Sequence, residues 1–290
     1  MAVQTQDGEQ GQADGQGGFE VIDVRAFTVG LIQENAYIVR ADASATRALM
    51  VDPGEEPQRL LDAASALGVE IEAVLITHCH FDHIGAVAPV AKATGAPVYC
   101  PEIELGVLAD IVKWTMPGFG PFESWQAERT VKGGERMRLA DLDIEVVFTP
   151  GHSPGHVTYA IHVGEEGRPG VDGESADGDA APVVTSTSAP GGESASPGAA
   201  PVLLSGDVLF QGSVGRTDLP GSDWATLERS ISSLMERFER DTMVYPGHMG
   251  VTTLAREWDT NPFLSELRAT AMDYAQSGAG RAGVGRASQS

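Results

Sequence analysis

Residues 77–87 read THCHFDHIGAV, and positions 78–83 within them hold three histidines and an aspartate. The whole chain has only seven histidines, so this cluster is a strong local enrichment. Imidazole nitrogens and carboxylate oxygens are ligands of protein-bound zinc, and a thiolate such as that of Cys79 is another. The cluster therefore predicts metal binding, and by itself it leaves open whether it forms one site or parts of two.

Three further side chains that can bind metals each follow a predicted strand. His152 ends the segment LDIEVVFTPGH, Asp207 follows PVLLSG, and His248 follows DTMVYPG. The apolar segment IEAVLIT is also a predicted strand, and it runs directly into the histidine cluster. Loops at strand ends usually carry the functional side chains of α/β folds. We therefore expect these residues and the cluster to form one site.

The rest of the pattern alternates short apolar runs with amphipathic helices, as is typical of an α/β protein. FTVGLIQENAYIVR, ALMVDPG, APVYC and HVTYAIHV are predicted strands. PQRLLDAASALG is a predicted helix with Leu60 and Ala64 on one face and Gly68 as its C-terminal stop. Further helices are predicted in IGAVAPVAKATG, SDWATLERSISSLMERF and NPFLSELRATAMDYA.

Segments at both ends and in the middle of the chain are rich in small and polar residues. They have too few large apolar residues to offset the entropy lost on ordering. We expect disordered tails at residues 1–18 and 277–290, and one domain over residues 19–276 with a low-complexity insertion at 164–201. If HVTYAIHV and PVLLSGD pair as a hairpin, His152 and Asp207 lie at one end of it and the insertion leaves from the other.

Composition limits the partners and the compartment. The formal net charge is −22, with 41 acidic against 19 basic residues, which disfavours nucleic acid as a partner. No stretch approaches the roughly 20 apolar residues that cross a bilayer, and the polar N-terminus lacks a signal sequence. Two cysteines cannot form a disulfide framework. We expect a cytoplasmic protein without a membrane partner, and its oligomeric state stays open.

Spacing suggests how the ligands divide. His78 and His80 are two apart in an extended segment, so their side chains can share one side, whereas Asp82 and His83 fall where the chain turns into a helix. Cys79 then points to the opposite side, and we expect it to be a small buried residue. If two ions are bound, the ligands divide into His78, His80 and His152 on one ion and Asp82, His83 and His248 on the other, with Asp207 as a bridge.

Two ions about 3.5–4 Å apart would share a hydroxide, lower its pKa to near 7 and polarise a substrate carbonyl. We expect two divalent ions, zinc first, with iron or manganese as alternatives. The two histidines outside this set, His156 and His162, are expected to have ordinary structural roles.

These residues resemble the metallo-β-lactamase superfamily, whose motifs run Asp, H-x-H-x-D-H, His, Asp, His along the chain. Asp52 in VDPG matches the first motif and HCHFDH the second, and the other three are His152, Asp207 and His248. The resemblance implies an α/β fold, a four-layer αββα sandwich. It also implies that Asp52 supports the ligands through hydrogen bonds rather than binding metal.

Two longer segments, LFQGSVGRTDLPG and YPGH followed by TTLAREWDTNPFL, look like the glyoxalase II-like branch, the hydroxyacylglutathione hydrolases and their relatives. The resemblance implies a small-molecule thioester substrate, whose carbonyl is attacked by a metal-bridging hydroxide held with the catalytic carboxylates Asp82 and Asp207. Arg216 either contacts substrate or forms a salt bridge within its loop. Larger glyoxalase II enzymes bind glutathione through a helical C-terminal domain, so the thiol carrier here stays open.

Other readings of the same residues remain. A persulfide dioxygenase would bind one iron through His78, His152 and Asp207, a two-histidine, one-carboxylate set that suits iron(II). A lactone hydrolase would use the same hydroxide with a different pocket. A β-lactamase is disfavoured because the common zinc lactamases have cysteine at the position of Asp207, and a nuclease by the charge. A metal-binding protein without activity is the alternative from another class.

Overall fold

The computed structural model describes residues 22–163 and 201–276 of the chain. The strands are β1 (Asp23–Val29), β2 (Glu34–Arg40), β3 (Arg47–Val51), β4 (Glu70–Leu75), β5 (Val98–Pro101), β6 (Arg129–Val131), β7 (Arg136–Leu139), β8 (Leu142–Phe148), β9 (Val157–Val163), β10 (Val202–Gly206), β11 (Leu209–Phe210), β12 (Ser213–Val214), β13 (Met243–Pro246) and β14 (Thr252–Thr253). The helices are α1 (Pro57–Leu67), α2 (Phe81–Ile84), α3 (Val87–Thr94), α4 (Leu105–Leu108), α5 (Ile111–Trp114), α6 (Trp224–Arg237), α7 (Leu254–Thr260) and α8 (Ser265–Gln276), with 3₁₀ turns at Glu102–Glu104 and Pro262–Leu264.

Two six-stranded sheets form the centre of the fold. The first has the order β1-β2-β3-β4-β5-β6, and the second has the order β14-β13-β10-β9-β8-β7. In the first sheet β1, β2 and β3 are antiparallel neighbours, while β3 to β6 run parallel. In the second sheet β10 and β13 are parallel and the other neighbouring pairs are antiparallel.

Strand β2 shows how the layers arise. Successive side chains of a strand point to opposite faces. Ala36 and Ile38 pack in a core cluster with residues of α1 and α3, whereas Tyr37 and Val39 pack in a second cluster with residues of β8, β9 and β10. Apolar side chains on both faces of the sheet therefore produce a helix layer on one side and the second sheet on the other.

A third apolar cluster covers the outer face of the second sheet. Leu227, Ile231 and Leu234 of α6 are buried in it, as their helical spacing predicts, and Phe238 directly follows the helix and packs at its edge. The two sheets thus lie between two layers of helices. This arrangement confirms the predicted αββα sandwich.

The predicted strand FTVGLIQENAYIVR is wrong as a single element. It forms two antiparallel strands, β1 and β2, in which Val29 lies opposite Glu34 and residues 30–33 make the turn. Gly30 and Gln33 have positive φ angles of 68° and 59°, which is turn conformation. The apolar residues within the turn concealed it in the sequence pattern. The helix predicted over IGAVAPVAKATG is α3, and the short α2 precedes it.

Strands β9 and β10 form the expected antiparallel hairpin, with Ile161 opposite Val202. His152 precedes β9 and Asp207 follows β10, so both lie at the same end of the pair. The predicted tails at 1–18 and 277–290, and the predicted insertion as far as residue 200, lie outside the described residues. Within the part of the chain that is described, no helix is both long and apolar enough to cross a membrane.

Candidate metal centre

The site lies where strands of both sheets end. His78, His80, Asp82 and His83 follow β4 of the first sheet, whereas His152, Asp207 and His248 follow β8, β10 and β13 of the second. The structure brings all seven predicted ligands together. Six of them form two groups, His78 with His80 and His152, and Asp82 with His83 and His248, and within each group the potential ligand atoms lie within 4.8 Å of one another. Asp207 lies close to both groups. Separate local patterns in the sequence therefore converge on one place.

Three histidine nitrogens face one another in the first group. His80 Nδ1 lies 3.0 Å from His78 Nε2 and 2.8 Å from His152 Nε2. The opposite nitrogen of His152 donates to the Arg216 carbonyl oxygen at 2.8 Å. His78 Nδ1 lies 3.1 Å from the hydroxyl of Thr77. These outer partners place the protons on Nδ1, so that the facing Nε2 atoms present lone pairs, which suits a shared cation.

The Thr77 hydroxyl has a single proton, so it can donate to only one of its two neighbours. It donates to Asp52 Oδ2 at 2.6 Å, and so it accepts from His78 Nδ1. Asp52 Oδ1 also accepts from the backbone N–H of Thr77 at 2.7 Å, and Oδ2 accepts from His83 Nδ1 at 3.0 Å. Protein donors therefore engage both oxygens of Asp52. The residue adopts a positive φ of 46°, an uncommon conformation for a residue with a side chain.

The second group combines a carboxylate with two imidazoles. Asp82 Oδ2 lies 3.2 Å from His248 Nε2 and 3.7 Å from His83 Nε2. His248 donates through Nδ1 to the Gln33 carbonyl oxygen at 3.2 Å, and His83 donates through Nδ1 to Asp52. Outer hydrogen bonds again leave the Nε2 atoms facing inward.

Asp207 lies between the two groups. Its Oδ1 is 3.3 Å from His83 Nε2, and its Oδ2 is 3.4 Å from His152 Nε2 and 3.5 Å from His248 Nε2. His83 Nε2 and Asp207 Oδ1 are buried without a hydrogen-bond partner among the described residues. Buried polar atoms are costly when unpaired, and nitrogen and carboxylate donors are those that zinc and iron bind. The residues present therefore fit divalent metal ions.

Comparison with known proteins identifies the family. A model described as the metallo-beta-lactamase superfamily matches residues 29–165. A relative in Bacillus subtilis (strain 168), named "Probable metallo-hydrolase YqgX", is 32% identical over 246 residues, which are 83% of this chain and 97% of the relative. The chain belongs to the metallo-β-lactamase superfamily. Another relative is hydroxyacylglutathione hydrolase GloC of Haemophilus influenzae, 27% identical over 249 residues, 85% of this chain and 97% of that protein.

Solved structures of the superfamily agree. The crystal structure of BLEG-1, named a B3 metallo-beta-lactamase, matches with a TM-score of 0.66 and 30% identity, over 84% of this chain and all of that one. A second, TTHA1623 in a di-iron-bound form, matches with a TM-score of 0.58 and 34% identity, over 83% of this chain and all of that one. Like YqgX, the chain is therefore a metallo-hydrolase of this superfamily, with candidate histidine and aspartate metal sites.

The charges of this superfamily site follow from burial and from the mixture of acids and imidazoles. Burial and the neighbouring His152 lower the pKa of His80 to about 4, and burial with His83 holds the pKa of His78 well below its usual value. Burial alone would lower the pKa of His83, but Asp207 and Asp82 hold it well above the usual value. His78 and His80 are therefore neutral imidazoles, whereas an ion bound at His83 would displace a proton.

His156 contacts the site from behind, a position that sequence reasoning did not single out. It is fully buried, its ring stacks on His78 at 4.8 Å, and its Nε2 accepts the backbone N–H of Asp207 at 3.0 Å. Its Nδ1 therefore donates to the Thr149 hydroxyl at 3.1 Å. The ring thus supports the backbone of the candidate ligand Asp207, a position beside the site that the expectation of an ordinary structural role did not specify. Its position directly before a strand is the signal that could have singled it out.

Glu34 was also missed, because it opens the apolar strand β2. Its side chain is buried, its Oε1 lies 3.7 Å from His83 Nδ1, and neither oxygen has a hydrogen-bond partner among the described residues. Burial raises the pKa of this carboxyl well above its usual value, against the opposing effect of His83. The neutral acid is thus favoured behind the second group.

The structure also gives the positions of three residues that the sequence analysis discussed, Arg216, Cys79 and His162. The Arg216 guanidinium is exposed and donates to both oxygens of Asp218 at 2.7 and 2.8 Å, which is the loop salt bridge of the two roles considered. Cys79 is fully buried with its Sγ 3.5 Å from Cys100 Sγ, as expected for a small core residue. His162 pairs with Asp143 across β8 and β9, towards the other end of the hairpin.

Proposed function

We propose that this chain is a thioester hydrolase of the glyoxalase II type that binds two divalent ions, zinc first among them. His78, His80 and His152 would hold one ion, Asp82, His83 and His248 would hold the other, and Asp207 would serve both. Asp52 orients His83 directly and His78 through Thr77. One observation carries the proposal: the Asp207 carboxylate lies within 3.5 Å of imidazole nitrogens from both groups.

Two divalent ions in this position supply an activated water at neutral pH and polarise a carbonyl oxygen. The chain's own part is orientation and charge. Burial would raise the pKa of Asp207, but His83, His152 and His248 hold it well below its usual value, and the pKa of Asp82 is lowered as well. Both carboxylates therefore remain anions, which offset cationic charge and accept a hydrogen bond from the attacking water.

The proposed reaction is hydrolysis with a thiolate leaving group. Water loses a proton to the solvent on activation, its oxygen forms a bond to the thioester carbon, the carbon–sulfur bond breaks, and the sulfur leaves with the bonding electron pair. A thiolate leaves without prior protonation, so the site needs no separate acid. The relationship to GloC, whose name states hydroxyacylglutathione hydrolysis, supports this substrate class, while the thiol carrier is left to experiment.

Persulfide oxidation would need only His78, His152 and Asp207 around one iron. The second group would then have no use, although His83 and His248 both have an Nδ1 hydrogen bond that aims Nε2 inward. The completeness of that group favours the hydrolase. β-Lactam hydrolysis is a second candidate because BLEG-1 bears that name at 30% identity.

Metal analysis of protein purified without added metal, combined with a substrate panel, tests the proposal. The panel contains glutathione and other thiol esters, lactones, a β-lactam and a persulfide with oxygen uptake recorded. We expect about two ions per chain and the highest kcat/KM with a thioester. One iron per chain with oxygen uptake would favour the dioxygenase, and a preference for lactone or β-lactam would overturn the thioesterase assignment.

Replacing Asp207 by alanine should lower both metal content and rate, because one carboxylate serves both ions. We expect loss of at least one ion per chain and a rate reduction of about 100-fold or more, a typical cost of removing electrostatic stabilisation. Asp259→Ala is the matched control, since Asp259 forms an exposed ion pair with Arg240. Two ions and full activity in Asp207→Ala would contradict the assignment.

A further inference from the structure

Glu104 is a buried carboxylate that ends the 3₁₀ turn after β5. Its side chain accepts three hydrogen bonds. Oε1 accepts from the Ser153 hydroxyl at 2.6 Å and from the backbone N–H of Gly155 at 2.8 Å, while Oε2 accepts from the backbone N–H of Cys79 at 3.2 Å. The residue is 4% exposed. A buried carboxylate is tolerated where several donors compensate its lost hydration.

These donors belong to the two loops that form the three-histidine group. Cys79 lies between His78 and His80 in the loop after β4 of the first sheet. Ser153 directly follows His152 in the loop after β8 of the second sheet. One carboxylate thus joins the backbones that carry the three facing imidazoles, although it contacts none of the rings itself.

The fit around Glu104 is close. A Cβ at position 155 would lie 2.5 Å from Glu104 Cγ, so glycine at this position is what allows the loop to approach the carboxylate. The group must also be a pure acceptor, because all three partners are donors. A glutamine of the same size would turn an NH₂ group towards an N–H or O–H donor.

We propose that Glu104 is a positioning residue that sets the separation of the three facing nitrogens and thereby the metal affinity of that group. This inference rests on the proposed assignment of His78, His80 and His152 to one ion. His80 Nδ1 lies 3.0 and 2.8 Å from the other two nitrogens, and the residues that donate to Glu104 directly adjoin His78, His80 and His152 in the chain or lie in the same loop. The three donors to the Glu104 carboxylate described above are Cys79, Ser153 and Gly155, and do not include Asp82, His83 or His248.

The test is cobalt(II) and zinc titration of the metal-depleted chain, in wild type and in Glu104→Gln, Glu104→Asp and Ser153→Ala. Removing partners of ligand groups typically weakens metal binding by about 10- to 100-fold. We expect Glu104→Gln to weaken one ion by about that factor and to leave the other unchanged. Ser153→Ala, which removes one of three hydrogen bonds, should weaken the same ion by a smaller factor, and Glu104→Asp, which keeps the charge, should lie between them.

Two reference variants identify which ion is affected. The cobalt spectrum of Glu104→Gln with one ion should match that of His152→Ala and differ from that of His248→Ala. Glu102→Gln is the matched control and should bind both ions like wild type, because Glu102 is exposed and forms an ion pair with Lys132. If Glu104→Gln does not fold, Ser153→Ala gives the same readout with a milder change.

Equal weakening of both ions, or wild-type affinity for both in Glu104→Gln or in Ser153→Ala, would overturn the inference. A wild-type chain without a tightly bound ion would overturn it together with the proposed function. A wild-type chain that binds two ions but hydrolyses no thioester would overturn the function alone, since the site-selective loss in Glu104→Gln is measured without substrate.

Discussion

At the scale of single residues, the site depends on which imidazole nitrogen each histidine presents. His78, His83, His152 and His248 each have Nδ1 occupied by an outer partner: the Thr77 hydroxyl, the Asp52 carboxylate and the carbonyl oxygens of Arg216 and Gln33. His80 differs, since its Nδ1 faces the other two nitrogens. The protein thus aims Nε2 of these four rings inward before any ion binds, which lowers the cost of organising the ligands.

We expect His156→Ala to reduce kcat/KM by about 10- to 100-fold and to lower metal content, because the buried N–H of Asp207 loses its acceptor. His156→Gln keeps an acceptor oxygen and should lose less. The control is His162→Ala, on β9 but outside the cluster. Activity assays with metal analysis measure the effect, and wild-type rate and metal content in His156→Ala would show that the contact is dispensable.

The pKa of His80, lowered from 6.5 to about 4, makes the metal-depleted fold less stable in acid. Between these values His80 binds a proton in the unfolded chain but not in the folded chain, so the free energy of unfolding decreases as pH falls from 6.5 towards 4. His80→Asn lacks this titration. The raised pKa values of His83 and His248 act in the opposite sense, but they are common to both proteins. We expect the stability advantage of wild type over His80→Asn to shrink over this window in urea unfolding with chelator. Parallel pH curves would contradict the shift.

At the scale of elements, the β9–β10 hairpin separates the site from the segment that joins the two strands. His152 and Asp207 lie at one end of the hairpin, while Val163 and Pro201 lie at the other. The strands are held in register by three pairs, Tyr159 to Leu204, Ala160 to Leu203 and Ile161 to Val202. We therefore expect that the end of the hairpin with the candidate ligands does not depend on how the other end is connected.

Replacing residues 164–200 by a short Asn-Gly turn should leave activity and metal content within about twofold of wild type, since Asn-Gly suits tight antiparallel hairpins. The thermal midpoint should be equal or higher, because a shorter loop costs less closure entropy. Calorimetry and the thioester assay measure both. A variant that folds but is inactive would place the segment in the function of the site.

At the scale of the whole molecule, the site joins the two sheets. Four of the seven candidate ligands follow β4 of the first sheet, and the other three follow strands of the second. Direct contacts already cross at this end: the Asn35 amide and the Tyr37 hydroxyl both donate to the Pro246 carbonyl oxygen, at 3.1 and 2.6 Å. Bound ions would add a further connection that exists only in the folded chain.

Removing metal with a chelator should therefore lower the melting temperature. An ion present at 100 times its Kd stabilises the fold by about 2.7 kcal/mol, which corresponds to about 5–10 °C for a domain of this size. Added zinc should restore the original value in scanning calorimetry. His248→Ala, with one group impaired, should show a smaller drop, and an unchanged melting temperature after complete metal removal would contradict metal bridging of the sheets.

The amino-acid sequence by itself determined the ligand types and their positions after strands, because apolar periodicity and residue chemistry are local properties. The four layers were implied by the resemblance of its motifs to a known family. The sequence did not reveal the turn at residues 30–33, because apolar residues within the turn continue the pattern of a strand. The outer partners were decided only by tertiary structure: every residue has a carbonyl oxygen, and only folding brings those of Gln33 and Arg216 against particular histidines. Glu104 accepts from Gly155, 51 positions away, and His156 from Asp207, also 51 positions away. The first contact depends on how the two sheets pack and the second on how β9 and β10 pair, and no local pattern encodes either.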